Sequence, residues 1–169
     1  MFKIRPETVE DYDRIRSVNQ LAFEGVAEAN LVDALRDGGY VEVSLVAETE
    51  GTIVGHILFS RVNLVTTSET LVALSLAPMS VLPAYQQQGI GSQLVKVGLD
   101  YCQKLGHAII VVLGHPAFYS RLGFSAELAK NLESPFGGGD AWMAYELIPG
   151  SLSDIHGHIE YPPPFLALD

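Results

Sequence analysis

From Val81 to Ser92 the chain reads Val-Leu-Pro-Ala-Tyr-Gln-Gln-Gln-Gly-Ile-Gly-Ser. An apolar run stops at Pro83, a Gly-rich turn follows, and helical periodicity begins at Gly89. The first turn of a helix carries unpaired backbone N–H groups and a partial positive charge, so such a junction can hold a phosphate. Gly89 and Gly91 lack Cβ, which lets the backbone approach an anion and adopt positive φ. Other phosphate loops fit less well. A dinucleotide fingerprint needs a third Gly where Leu94 stands, and an acidic residue where the chain runs Ala108-Ile109-Ile110-Val111-Val112-Leu113. A P-loop needs Gly-Lys-Ser/Thr, which does not occur.

A second stretch, Gly114-His115-Pro116-Ala117-Phe118-Tyr119-Ser120-Arg121-Leu122-Gly123-Phe124, places a phenol and an imidazole just after a buried strand. Tyr119 could act as a proton donor or be a packed aromatic. Four further residues could serve as a general base: Glu24, Glu28, His56 and His115. Each also reads as a structural or surface group. Cys102 is the single cysteine and lies inside a helical pattern, which makes it core filler and rules out an intrachain disulfide. His156-Gly157-His158 offers two imidazoles without accompanying ligands, so no metal is expected.

The elements that would position these residues follow from periodicity. Phe2 to Arg5 reads as a strand. A helix then runs from a capping box at Thr8 and Asp11 to about Ala22, and a second from Ala27 to Arg36, stopped by Gly38-Gly39. A strand around Leu45 and Ala47 turns at Glu50-Gly51 into a longer one, Ile53 to Val65; Leu71 to Leu82 is the next. The helix opening at Gly89 carries Ile90, Leu94, Val97, Tyr101 and Leu105 and ends at Gly106. Ala108 to Leu113 has the unbroken apolar character of a strand covered on both faces, and Ala117 to Leu122 is a short helix. Strands near Phe124-Ser125-Ala126 and from Asp140 to Leu147 follow, and the tail with Pro162-Pro163-Pro164 reads as extended and surface-bound.

With 169 residues, 48% hydrophobic and 18% charged, the chain can bury one substantial core. Its net charge of −10 weighs against nucleic acid as a partner. No apolar run is long enough for a membrane span, no leader is apparent, and the lone cysteine fits a reducing cytoplasm. No Lys or Arg follows Lys130, and Arg36 is the single base among the acids of Glu24–Glu50. This acidity either solubilises the surface or attracts a cationic substrate.

The loop Gln86-x-x-Gly89-x-Gly91 after a strand resembles the acyl-CoA pyrophosphate loop of the GNAT superfamily of N-acetyltransferases. Tyr119, Gly123 and Phe124 resemble the family's later signature, in the same order along the chain. The resemblance implies an α/β (α+β) fold with a mixed, splayed β-sheet flanked by helices. Residues 1–149 would form the domain and 150–169 an extended tail packed on or near it. It implies acetyl-CoA as acyl donor, held by Ser80, Val81, Gln86, Gln87, Gln88, Gly89, Ile90, Gly91 and Ser92. A backbone N–H near Ser80-Val81 would polarise the thioester and Tyr119 would act as general acid. Glu28 stands first among the base candidates, because the segment between the first two helices often lines the family's acceptor pocket; a water chain could replace it. Many relatives carry Arg beside the first Gln, whereas here the loop is uncharged. The acceptor implied is a primary amine of a small molecule or peptide, attacked directly in a ternary complex, with a cationic amine favoured by the acidic segments. A homodimer is compatible with this reading. The competing reading is a CoA-binding sensor that keeps the fold without turnover.

Overall fold

In the computed structural model residues 1–167 are described. The chain opens with β1 (Lys3–Pro6), α1 (Tyr12–Phe23) and α2 (Ala27–Asp37), then a meander of β2 (Val41–Thr49), β3 (Thr52–Val65) and β4 (Thr70–Val81). Next come α3 (Ile90–Lys104), β5 (Ile109–Leu113), α4 (Pro116–Ser120), α5 (Ala126–Ala129), β6 (Leu132–Glu133), β7 (Trp142–Glu146), β8 (Gly157–Glu160) and α6 (Pro163–Leu166). Thr8 and Asp11 do form the capping box, closing a 3-10 turn that leads into α1. Arg5 bonds both Asp11 oxygens at 2.7 and 3.0 Å and so holds that carboxyl down at about 2. Glu50 and Gly51 both have positive φ, at 50° and 76°, which matches the two-residue turn that joins twisted antiparallel strands.

The main sheet has the order β1-β2-β3-β4-β5-β7 and is antiparallel except between β4 and β5, where α3 makes the crossover. It is the mixed sheet with flanking helices that the resemblance implies, and it is mostly antiparallel. Helix α3 covers one face: a Cβ at Gly55 would sit 3.2 Å from the Leu94 side chain, and one at Gly98 would land in the Phe59 ring. These two glycines let the helix lie close to the strands. Helices α1 and α2 cover the other face, where Asn19 reaches His56. No helix among the described residues is long and apolar enough to cross a membrane.

β4 changes neighbours along its length. Only Leu74↔Ile110 and Ser75↔Val111 pair it with β5; beyond them the strands part, while β3 continues along β4 to Gly55↔Val81. At the other end the sheet closes on itself. β8 pairs with β3 through Asn63↔Glu160 to Val65↔His158, on the edge that β2 has vacated, and β6 pairs with β8. Trp142 on β7 then donates its indole N–H to Leu132 O on β6 at 2.8 Å. A second core of Val62, Leu64, Val111, Leu132, Trp142 and Ile159 fills this closed half.

Residues 150–167 therefore do not lie extended on the surface. Leu152, Ile159 and Phe165 are buried, and Pro163 opens a helical turn, since a first-turn residue needs no N–H. The strand expected near Phe124–Ala126 reduces to one bridge, Ser125↔Ala144, because the Ser125 hydroxyl accepts from Leu128 N–H and starts α5. Asp169, one of the tail acids, lies outside the described residues.

Candidate active site

β4 ends where it has lost β5. Leu82 N–H still donates to Val54 O on β3 at 2.8 Å, so by strand alternation the N–H and C=O of Val81 point to the open edge. The carbonyl is used there: Gln86 Nε2 donates to Val81 O at 3.0 Å and ties the following loop to the strand end. Pro83–Tyr85 forms a 3-10 turn, and Gln87 and Gly89 adopt left-handed φ of 62° and 85°. α3 then starts without a side-chain cap, and Gln93 N to Gly89 O, at 3.1 Å, is its first turn's bond. The N–H groups of Ile90, Gly91 and Ser92 precede that bond and need an acceptor from elsewhere. Gln87, Gln88 and Gly89 are exposed around them.

The two glycines of this loop differ. A Cβ at Gly89 would meet nothing within 4 Å, so Gly89 is there for its backbone conformation. A Cβ at Gly91 would lie 3.3 Å from Met79 Cε and 3.5 Å from Phe118 Cζ, so Gly91 is there for packing. Phe118 also meets the Tyr119 ring edge-on at 4.9 Å. Met79 and Phe118 thus join the two sequence motifs. Nothing in the local sequence marks them, because their role is a contact between distant segments.

Tyr119 is held from several directions. Its ring meets Phe124 at 5.5 Å, and a Cβ at Gly114 would come within 2.5 Å of Tyr119 Cε2. Its carbonyl accepts from Phe124 N–H at 3.1 Å across the turn in which Gly123 has φ 100°. Burial pushes the phenol up to about 12, so it stays protonated at neutral pH. It can donate a hydrogen bond and cannot serve as a base there.

The base candidates are scattered. Glu24 caps the C-terminus of α1 in a left-handed conformation and is exposed; Glu28 is half-buried in the first turn of α2. Neither carboxylate has a hydrogen-bond or ion-pair partner among the described residues. His115 is exposed. His56 is fully buried, and burial followed by the nearby Arg36 pushes it down to about 3. Its Nε2 lies 2.9 Å from Ser44 Oγ, which donates to Glu7 at 2.5 Å, and Glu7 in turn pairs with Arg36 at 2.9 Å. Ser44 therefore accepts from Nε2–H, and Nδ1 faces the Asn19 amide at 3.4 Å. That chain ties α1, α2, β2 and β3 together. Across from His56, Ser80 is buried with its hydroxyl unpartnered among the described residues. Cys102 is buried and raised to about 12, mainly by desolvation, and so is no thiolate.

The acidity is partly neutralised. Asp33 pairs with Arg16 and Arg36, Glu42 with Arg61, and Glu48 with Lys3 and Arg5. Two open grooves of about 510 and 520 Å³ flank β6, one bordered by His156 and His158. Neither contains Tyr119 or a residue of the 86–92 loop. Among the described residues no group of three or more His, Cys, Asp or Glu is placed to hold a metal.

Comparison with known proteins identifies the family. The family described as acetyltransferase (GNAT) domain matches residues 41–126, from β2 through the start of α5. An Escherichia coli protein named uncharacterized N-acetyltransferase YhbS is 36% identical over 160 residues, 94% of this chain and 95% of its own. Its crystal structure in complex with CoA superposes with a TM-score of 0.91 at 34% identity, covering 99% of this chain and 93% of that one. A GNAT acetyltransferase from Brucella melitensis, crystallised with acetyl-CoA, gives 0.81 at 32% identity and 98% coverage of both chains. The chain belongs to the GNAT superfamily of acetyltransferases.

Proposed function

We propose that this protein transfers the acetyl group of acetyl-CoA to a primary amine by direct attack in a ternary complex. The observation that carries the proposal is the uncapped start of α3 at the point where β4 and β5 part, with a protonated Tyr119 linked to the same loop through Phe118. The N–H groups of Ile90, Gly91 and Ser92, with the exposed Gln87 and Gln88 amides, would receive the CoA pyrophosphate without any charged side chain. Two relatives crystallised with CoA or acetyl-CoA support the donor's identity.

The acceptor attacks as the neutral amine. The N–C bond forms, negative charge builds on the thioester oxygen, and the Val81 N–H, with Ser80 beside it, is oriented to receive that oxygen. The C–S bond then breaks as Tyr119 donates to sulfur. Full transfer from a phenol near 12 to a thiolate whose conjugate acid has a pKa of about 8.5 is uphill. Tyr119 therefore stabilises the departing thiolate by hydrogen bonding, and the proton that completes the thiol comes from the amine. Glu28, in the first turn of α2, would take the separate proton that a cationic acceptor loses before it attacks. A cationic acceptor suits the unpaired Glu24 and Glu28.

Acetyl-CoA titrated calorimetrically, followed by free-thiol release with a panel of primary amines, tests the proposal. Binding with amine-dependent thiol release supports it. Binding with no release under any amine identifies a CoA-binding module without turnover instead.

A further inference from the structure

Charge is segregated along this chain. Between Glu69 and Glu127 the sequence holds one acid, Asp100, out of the chain's 20 Asp and Glu. That stretch carries β4, the Gly-rich loop, α3, β5 and α4, the elements around the donor site. Its Lys and Arg are Lys96, Lys104 and Arg121, and Lys104 pairs with Asp100 at 2.8 Å. Of the 10 Lys and Arg in the chain, Lys96 and Arg121 alone make neither an ion pair nor a hydrogen bond among the described residues. Arg14 donates to Ile53 O, and the others face carboxylates.

Both of these cations belong to the flank where α4 meets α3. Lys96 lies four residues after Ser92 and so on the same side of α3, one turn along. Helical side chains lean toward the N-terminus, which brings the Lys96 ammonium back toward the open N–H groups of Ile90, Gly91 and Ser92. The segment after β5 runs along this flank. Phe118 Cζ would lie 3.5 Å from a Cβ at Gly91, and Leu122 shares a groove of about 290 Å³ with Lys96 and Leu99. Arg121 keeps a helical backbone and falls three residues after Phe118, hence on the side turned to α3. Both cations are exposed. Asp100 also borders the groove, with its carboxylate held by Lys104.

We infer that Lys96 and Arg121 receive the 3′-phosphate of the CoA donor and make this protein select CoA over its 3′-dephospho form. The inference rests on the acetyl-CoA reading of the loop and adds the residues that read the far end of the nucleotide. The uncharged loop serves the diphosphate through N–H groups and amides. The ribose phosphate, a monoester of about −1.5 to −2 charge at neutral pH, then needs cations from elsewhere. It sits on the same nucleotide as the diphosphate, so cations one turn along α3 and beside it are within its reach. Arg121 offers paired N–H donors and Lys96 a mobile point charge. A chain of net charge −10 would otherwise repel its own polyanionic donor.

Calorimetric titration of CoA and of 3′-dephospho-CoA tests this in wild type, Lys96→Gln, Arg121→Gln and the double variant. Wild type should favour CoA by about twentyfold at low salt, and each single variant should weaken CoA by about fivefold. Affinity for dephospho-CoA should stay within about twofold throughout, so the double variant should bring the ratio near unity. Raising salt from about 0.05 M to about 0.5 M should shrink the wild-type preference by screening. Lys96→Arg keeps the charge and should keep the preference. A double variant with the wild-type ratio overturns the inference, and so does a preference indifferent to salt. Equal losses for both ligands overturn it as well, because they assign the cations to the diphosphate. A wild-type protein that binds neither ligand overturns the CoA reading of the loop and this inference with it.

Discussion

The two halves of β4 are built to opposite ends. At Leu74 and Ser75 the strand has partners on both edges, and below them the sheet curls through β8 and β6 until the Trp142 indole closes it over a second core. Above Ser75 one edge is abandoned, and the polar groups of the strand end and of α3 are left to the loop and to a ligand. Strand ends with open hydrogen-bonding groups are costly unless something else holds the strands in place. The closed half supplies that restraint. Rigidity at one end of the strand is what lets the other end stay open without collapsing.

Breaking the closed half should have the largest effect. Trp142 is 4% exposed and makes both the closing hydrogen bond and much of the packing. Trp142→Ala should lower unfolding free energy by about 3–5 kcal/mol in urea titration. If that half were only decoration, the loss would fall within the range of a surface change. The open half should show the reverse pattern. Tyr119→Phe removes a hydroxyl with no partner among the described residues, so stability should hold while kcat drops about a hundredfold, ~2.7 kcal/mol of barrier. Unaltered kcat would reduce Tyr119 to a ring packed between Phe118 and Phe124.

Beneath α1 the open half has a polar buttress, and pH should reveal it. His56 is pushed down to about 3 from an ordinary 6.5, so between those values the unfolded chain binds a proton that the folded chain refuses. The stability this provides is complete above pH 6.5 and is lost as pH falls toward 3. By pH 5 the loss should be about 2 kcal/mol. Asp11, held near 2 from an ordinary 3.8, loses its contribution as pH falls from about 3.8 toward 2, below the lower end of the test at pH 4.5. Urea midpoints between pH 7 and 4.5 should therefore slope in wild type and flatten in His56→Asn, even though the variant is less stable throughout. A parallel slope in the variant would place the titration elsewhere.

Much of the open half was legible because its signals are local. The capping box at Thr8 and Asp11, the Glu50-Gly51 hairpin, the apolar β5 and the Gly-rich start of α3 each declare themselves within a few residues. The closed half was not. β6 is two residues long, and its partner begins at Gly157, so no window of sequence contains the pair. Gly157 itself reads as a loop glycine, yet a Cβ there would run into the carbonyl of Val65. The same division runs through the candidate site: the Gly-rich start of α3 and the short helix that carries Tyr119 were legible locally, whereas the contacts of Met79, Phe118 and the His56 chain join segments that only tertiary structure brings together.

The finest distinction lies inside the loop, between its two glycines. Gly89 holds φ 85° with open space where a Cβ would be, so Gly89→Ala meets no clash and pays only for a left-handed backbone, about 1–2 kcal/mol. The loop can shed that strain by relaxing φ, which turns the N–H groups of Ile90, Gly91 and Ser92 away from a shared acceptor. Acetyl-CoA affinity should then weaken about tenfold, ~1.4 kcal/mol, with unfolding midpoints little changed. Gly91→Ala, by contrast, presses on Met79 at 3.3 Å and adds a contact to Phe118 at 3.5 Å, so its effect should reach Tyr119 through Phe118 and appear in kcat as well. Calorimetry with acetyl-CoA and steady-state kinetics on both variants separate the two roles. Equal losses of affinity with kcat untouched in both would mean that the loop senses any added methyl alike, and the assignment of one glycine to conformation and the other to packing would fall.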